Sequence, residues 1–283
     1  MSSLLLICAG AALILFACSG DGDNDSAIEF PLRVGYHWEY CDSLIDIVLP
    51  QDTIVQYDTS VANYSCDIVG IDTLFDYDST VVFHFFSEMA ESTQIFYDHE
   101  YRQADSSGLY LFGYYYGFMG PPLGHKSSGR YCEFRGIRAN STRQLMQLLI
   151  HRLHLQKLPV QDSIYYEDPP ILELAYPLYV GLEWVYRDTS LAHPWNISKQ
   201  VVSRDLLNLP ATGPVSCFEI LYLSDTDHDG QWDDDLEFHE YVSAIGILKW
   251  DITISGIEYY DELGNPIGSY DSREIFTLVH HSP

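Results

Sequence analysis

A mainly β fold, two tandem related antiparallel β modules with one connecting helix, is predicted by three features of this 283-residue chain. The first is composition: 22 tyrosines, with many Val, Ile and Thr, favour strands over helices. A 47% hydrophobic fraction argues against disorder and for a packed core. The second is a phrase that occurs twice. The segment Phe30 to Tyr40 (FPLRVGYHWEY) returns as Tyr176 to Tyr186 (YPLYVGLEWVY), identical at six of eleven positions. The third is one stretch of helical periodicity between the two halves, stopped by Pro159.

Each copy of the phrase has the logic of a module entrance. Proline fixes the approach, glycine permits a tight turn, and Trp-x-Tyr places both aromatics on one strand face. Strand-like text follows in each: Thr53 to Tyr57, Val81 to Phe86 and Thr93 to Tyr97, then Cys217 to Leu223, Glu237 to Val242 and Ile252 to Tyr259. Late in each span a glycine precedes apolar residues, Gly108 with Leu109 and Leu111, and Gly246 with Ile247 and Leu248. A tandem duplication is the expected origin. The resulting division is 30–136 for the first module, 137–175 for a helical connector and 176–283 for the second module. In the connector, Asn140 or Ser141 caps a helix from Ser141 to Leu158. A hairpin turn is expected at Leu263 to Pro266.

The N-terminus carries a different kind of signal. Leu4 to Phe16 is an apolar run far shorter than the roughly 20 residues that span a bilayer, and it has the length of a signal-peptide core. Leu15, Phe16, Ala17 and Cys18 resemble the lipobox of bacterial lipoproteins, which implies a signal peptide over 1–17, a lipid-modified Cys18 and a tether over 18–29 rich in Ser, Gly and Asp. The expected location is the cell envelope, with the membrane reached through the acyl chains on Cys18. Ser19 rather than Asp after the cysteine permits transfer to an outer membrane. The module opening likewise resembles that of β-rich bacterial secreted lipoproteins of uncharacterised function, with Ala244 to Lys249 standing for their later Gly-x-Gly-Leu-Val-Lys strand.

A net charge of −27 excludes nucleic acid as a partner, since phosphate binding needs a basic surface. The charge is uneven. Between Lys126 and Lys157 lie seven of the 14 basic residues and one acid, so that stretch carries +6 and the remainder −33. Three readings stay open: a helical connector with a solvated charged side, a basic face that docks onto the acidic body, and a stretch read out of frame. In an oxidising envelope Cys41, Cys66, Cys132 and Cys217 allow two bridges, and Cys41 with Cys66 is the expected pair.

The sharpest chemical motif is DTDHDGQWD from Asp225 to Asp233, which resembles the first nine positions of an EF-hand calcium loop. Carboxylates at Asp225, Asp227 and Asp229 converge on one cation if Gly230 makes the sharp turn, Gln231 offers its carbonyl, and Asp233 ligates directly or through water. Oxygen ligands without cysteine favour Ca2+. Position 12 is Leu236, with Glu237 adjacent, and the flanks read as strands. A calcium staple joining two strands within 225–237 is therefore expected, with no helix-loop-helix sensor.

Other chemistry is sparse. His99-Glu100 and His239-Glu240 lack the second histidine of a zinc protease motif, and His151 with His154 has no acid nearby in sequence to complete a metal site. No nucleophile elbow or phosphate loop is present. The aromatic run Phe112, Tyr114, Tyr115, Tyr116 and Phe118 is either half buried in a strand or a patch for a protein or carbohydrate ligand. The expected function is binding or structural work at the envelope rather than catalysis. The two alternatives are a hydrolase of envelope or extracellular polymer, and a carrier of an apolar ligand in a β half-barrel. Convergent acids and histidines would mark the first and a Tyr- and Phe-lined cavity the second.

Overall fold

The computed structural model describes residues 28–48, 56–74, 80–91, 94–116, 130–154, 164–189, 193–210 and 212–283. The export signal, Cys18, the tether up to residue 27 and Phe118 lie outside them. The fold is mainly β with one helix among the described residues.

The first half is a meander of β1 (His37–Val48), β2 (Gln56–Leu74), β3 (Thr80–Glu91), β4 (Gln94–Ala104) and β5 (Gly108–Tyr116). A short hairpin, β6 (Tyr131–Phe134) and β7 (Ile137–Ala139), leads into helix α1 (Thr142–His154), after which β8 (Tyr165–Ala175) returns to pair with β5. The second half is a meander of β9 (Glu183–Arg187), β10 (Asn196–Leu209), β11 (Gly213–Asp225), β12 (Leu236–Ser243), β13 (Gly246–Tyr260) and β14 (Pro266–Ser282). Strand β14 pairs with β1, so both halves share one 14-stranded antiparallel sheet with the order β8-β5-β4-β3-β2-β1-β14-β13-β12-β11-β10-β9. Its edges are the consecutive strands β8 and β9, and the Trp184 indole bridges them by donating to the Leu172 carbonyl at 3.2 Å. The sheet is nearly closed on itself, which leaves little exposed edge.

The repeated phrase repeats in three dimensions. Tyr36 N–H donates to Arg33 O at 3.2 Å and Leu182 N–H to Tyr179 O at 3.0 Å, closing the same turn. Gly35 and Gly181 hold φ of 96° and 92°, which excludes a side chain, and each donates its N–H to the following long strand, to Ile68 O and Val201 O. Gly108 and Gly246 each open the fifth strand of their half.

Two separate modules are nonetheless not what this yields. One large core cluster joins Leu111 and Tyr114 to Ile197 and Ile254, and a second joins Trp38 and Phe85 to Trp184, Val201 and Leu248, so the two main clusters are both shared between the halves. The expected connector is also mixed. Among its described residues Thr142–His154 is helix, and Ile137–Ala139 and Tyr165–Ala175 are strand.

Helix α1 begins where the sequence places it. Ser141 Oγ accepts from Gln144 N–H at 3.2 Å while Gln144 Oε1 accepts from Asn140 N–H at 2.9 Å, a reciprocal cap. Leu145, Met146, Leu149 and Leu153 form a face that is fully buried inside the sheet, worth roughly 1.5–3 kcal/mol apiece. Arg143 is buried with them and pairs with Asp42 on β1 and, at 3.1 Å, with Glu274 on β14. Within the basic stretch Arg143 alone among the described residues is buried against acids, whereas the Arg138 side chain is 65% exposed and Lys126 and Lys157 lie outside the described residues.

Candidate functional site

Between the concave face of the sheet and α1 lies a cavity of about 170 Å³. Strand alternation puts side chains into it from many strands at once. One wall is aromatic: Tyr40 lies 5.3 Å from Trp250, Tyr64 lies 6.1 Å from Trp250 and 6.0 Å from Phe276, and the last two rings meet edge-on at 5.7 Å. Trp38 and Phe85, stacked at 6.5 Å, extend it.

The other wall is ionic. Asp98, Glu100 and Arg102 sit at alternate positions of β4, so all three line the cavity. Arg102 pairs with Glu100 at 2.7 Å and with Glu173 at 2.5 Å, over the Phe85 ring. Burial disfavours its charge, but the two glutamates hold it well above the ordinary range. Lys199 donates to the Glu173 carbonyl at 3.0 Å and to Glu240 at 3.3 Å and lies over Tyr186 and Tyr222 at 4.4 and 4.3 Å. Burial lowers its pKa, with Glu240 and Glu173 opposing. Glu240 also accepts from Tyr222 Oη and Trp250 Nε1, both at 3.2 Å.

From the helix come Gln147, Ile150, His151 and His154. Burial lowers His151 to about 4 and, with Lys199 and Arg187 adding to it, pushes His154 well down, so both rings are neutral at pH 7. Asp98 is pushed well up by burial and then by Glu100, and no described residue hydrogen-bonds it. The Cys66 thiol is pushed up to about 12 by burial, which leaves it unreactive.

Sequence reasoning missed this site, because its residues come from eleven strands and the helix. The Asp98-x-Glu100-x-Arg102 alternation in a strand with an inward face was the available signal.

The acidic loop lies between β11 and β12, so both flanks are strands. Carboxylate oxygens of Asp225, Asp227 and Asp229 lie within 4.8 Å of one another, with Gly230 turning the chain at φ 81°. Asp225 is only 4% exposed; its Oδ2 accepts from Asn196 Nδ2 at 3.4 Å and its Oδ1 has no hydrogen-bond partner among the described residues. Of the other expected ligands, the carboxylates of Asp233 and Glu237 are not part of this cluster. Gln231 turns its side chain onto Asp229 at 3.2 Å. Asp233 accepts from Thr226 N–H at 3.0 Å and pairs with Arg135 at 2.9 Å. Glu237 points outward on β12, because it alternates with buried Leu236 and Phe238.

The expected Cys41–Cys66 bridge is also corrected. In the β1–β2 register Cys41 faces Asn63 and Cys66 faces Trp38, so the two cysteines lie on opposite faces of the sheet, and all four described cysteines are free thiols. In the aromatic run Tyr114 is fully buried, while Phe112 packs with Tyr166 against a small cluster of Leu74, Val82 and Tyr101. No described helix is long and apolar enough to cross a membrane. The chain matches no protein-family model, no curated protein and no solved structure.

Proposed function

We propose that this is a small-molecule carrier or binding protein of the bacterial cell envelope, anchored by lipid at Cys18 and holding its ligand in the cavity beneath α1. The observation that carries this reading is the cavity: a space of about 170 Å³ in a nearly closed sheet, lined by Tyr40, Tyr64, Trp250 and Phe276. Close-packed interiors seldom leave such a void, and one of about 150 Å³ suffices to hold benzene. The ionic wall argues for a ligand with a polar group rather than a wholly apolar one.

The hydrolase alternative is less well supported. Acids and histidines do gather, but Glu100, Glu173 and Glu240 are engaged by Arg102, Lys199, Tyr222 and Trp250, and the space is too small for a polymer chain. A calcium ion at Asp225, Asp227 and Asp229 has a structural place in the proposal. The buried, unpartnered Asp225 Oδ1 is what a cation would satisfy, stapling the β11–β12 loop.

The test is to purify the protein from native envelopes, denature it in solvent and look for a stoichiometric small molecule by mass spectrometry. We expect one in the native protein and none after Cys66→Phe, which fills the cavity. An equal yield of nothing from both proteins would sink the proposal. Retention of Cys18 without acyl groups in the same spectra would sink the anchor.

A further inference from the structure

We infer that the ligand is a small organic cation, an amine or quaternary ammonium whose head lies between Asp98 and the faces of Tyr40, Tyr64 and Trp250. This rests on the cavity being a binding site, and it assigns the chemical class of what binds there. The first argument is charge. Four acids line the cavity, Asp98, Glu100, Glu173 and Glu240, against two bases, Arg102 and Lys199, and the two helix histidines add no charge at pH 7. Acids still outnumber bases when Asp98 keeps its proton.

The second argument is availability. Arg102 is shared between Glu100 and Glu173 and stacked on Phe85; Lys199 is shared between Glu240 and a carbonyl and covered by two tyrosine rings. An anion entering the cavity meets two cations that are already satisfied, and surplus carboxylates. A cation meets Asp98, which no described residue hydrogen-bonds. The third argument is shape. The rings of Tyr40, Tyr64, Trp250 and Phe276 meet at 5.3–6.1 Å in tilted and edge-on pairs, so ring faces turn toward different sides, as in the aromatic cages that hold quaternary ammonium groups. Cation–π attraction grows with desolvation, and the Tyr40 and Trp38 rings here are buried.

Titration calorimetry of the soluble chain from residue 28 onward would not preserve whatever precedes it, so the full mature protein in detergent is the material to use. The probes are benzyltrimethylammonium, its uncharged carbon isostere neopentylbenzene, and phenylacetate. We expect the cation to bind at least tenfold more tightly than the other two, and Asp98→Asn and Tyr64→Leu each to weaken it about tenfold. Equal binding of the neutral isostere, or binding of the cation that is unchanged in Asp98→Asn, would overturn the cation assignment while leaving the cavity a binding site. Tighter binding of phenylacetate would overturn it as well. Binding of none of the three, with both variants folded by circular dichroism, would overturn the assignment together with the carrier reading.

Discussion

Gly246 sits against the edge of Trp38: a Cβ at 246 would lie 2.7 Å from the indole Nε1, which donates to the Ile245 carbonyl at 2.7 Å. The contact joins the first copy of the repeated opening to the first residue of β13, two segments that are over 200 residues apart in the chain. Trp184, its counterpart in the second copy, makes the corresponding bond to Leu172 across the β8–β9 gap. Each tryptophan thus ties its strand to backbone that its own opening does not supply.

Replacing Gly246 with alanine should therefore destabilise the fold by about 2–4 kcal/mol, from a left-handed φ of 109° together with the clash on a fully buried ring. Urea denaturation followed by tryptophan fluorescence measures it. A loss within about 0.5 kcal/mol, the range of an indifferent surface change, would show that the contact is slack.

Arg143 is buried against Asp42 and Glu274 in the described core. Arg143→Met leaves two carboxylates buried beside a thioether, and a cost of about 3–5 kcal/mol is expected. Combining it with Asp42→Asn and Glu274→Gln should recover most of that loss, because the remaining charges go with it. If the triple variant is as unstable as the single one, packing rather than charge accounts for Arg143.

Arg135 should restrain the proposed calcium loop. It holds Asp233 and Asp235 at 2.9 and 2.6 Å and brings a positive charge close to Asp227. Arg135→Gln is expected to tighten calcium several-fold by releasing Asp233 as a ligand and removing repulsion. Asp225→Ala with Asp229→Ala should abolish the heat of calcium binding. Calorimetry that finds equal heats in all three proteins would remove the site.

Acidification should weaken the fold before any carboxylate titrates in the unfolded chain. His151 and His193 are held at about 4 by burial and His154 is held well down, chiefly by burial, whereas unfolded histidines titrate near 6.5. Unfolding below pH 6.5 therefore binds protons. The stability these groups contribute is complete above 6.5 and falls by ~1.4 kcal/mol per histidine for each pH unit below it, until the folded rings titrate. His84 and His99, also lowered by burial, add to the effect, while Asp98, Asp233 and His37, raised in the folded state, work in the opposite direction. Urea midpoints at pH 7, 6 and 5 should decline in that order, and a flat series would contradict the buried neutral rings.

Thiol counting tests the cysteine arrangement directly. The denatured, unreduced mature protein should show four reactive thiols, from Cys41, Cys66, Cys132 and Cys217. Two would mean that one bridge forms and that the β1–β2 register is shifted.

What the sequence determined by itself is local. Tyrosine and β-branched content committed the chain to strands; the glycines at 35 and 181 required the same turn twice; Ser141 and Gln144 capped the helix; Gly230 let three aspartates converge. In each case the cause lies within a few residues of the effect, so reading along the chain finds it. The tertiary structure decided the rest. Pairing of β14 with β1 merged two expected modules into one sheet, the β1–β2 register put Cys41 and Cys66 on opposite faces, and Arg135 took Asp233 from the loop. The cavity is the clearest case, since Asp98, Lys199 and Trp250 meet only when the sheet curls around α1. Side chains far apart in sequence share a site through strand order and register, and those are set by the free energy of closing the whole sheet, not by any one segment.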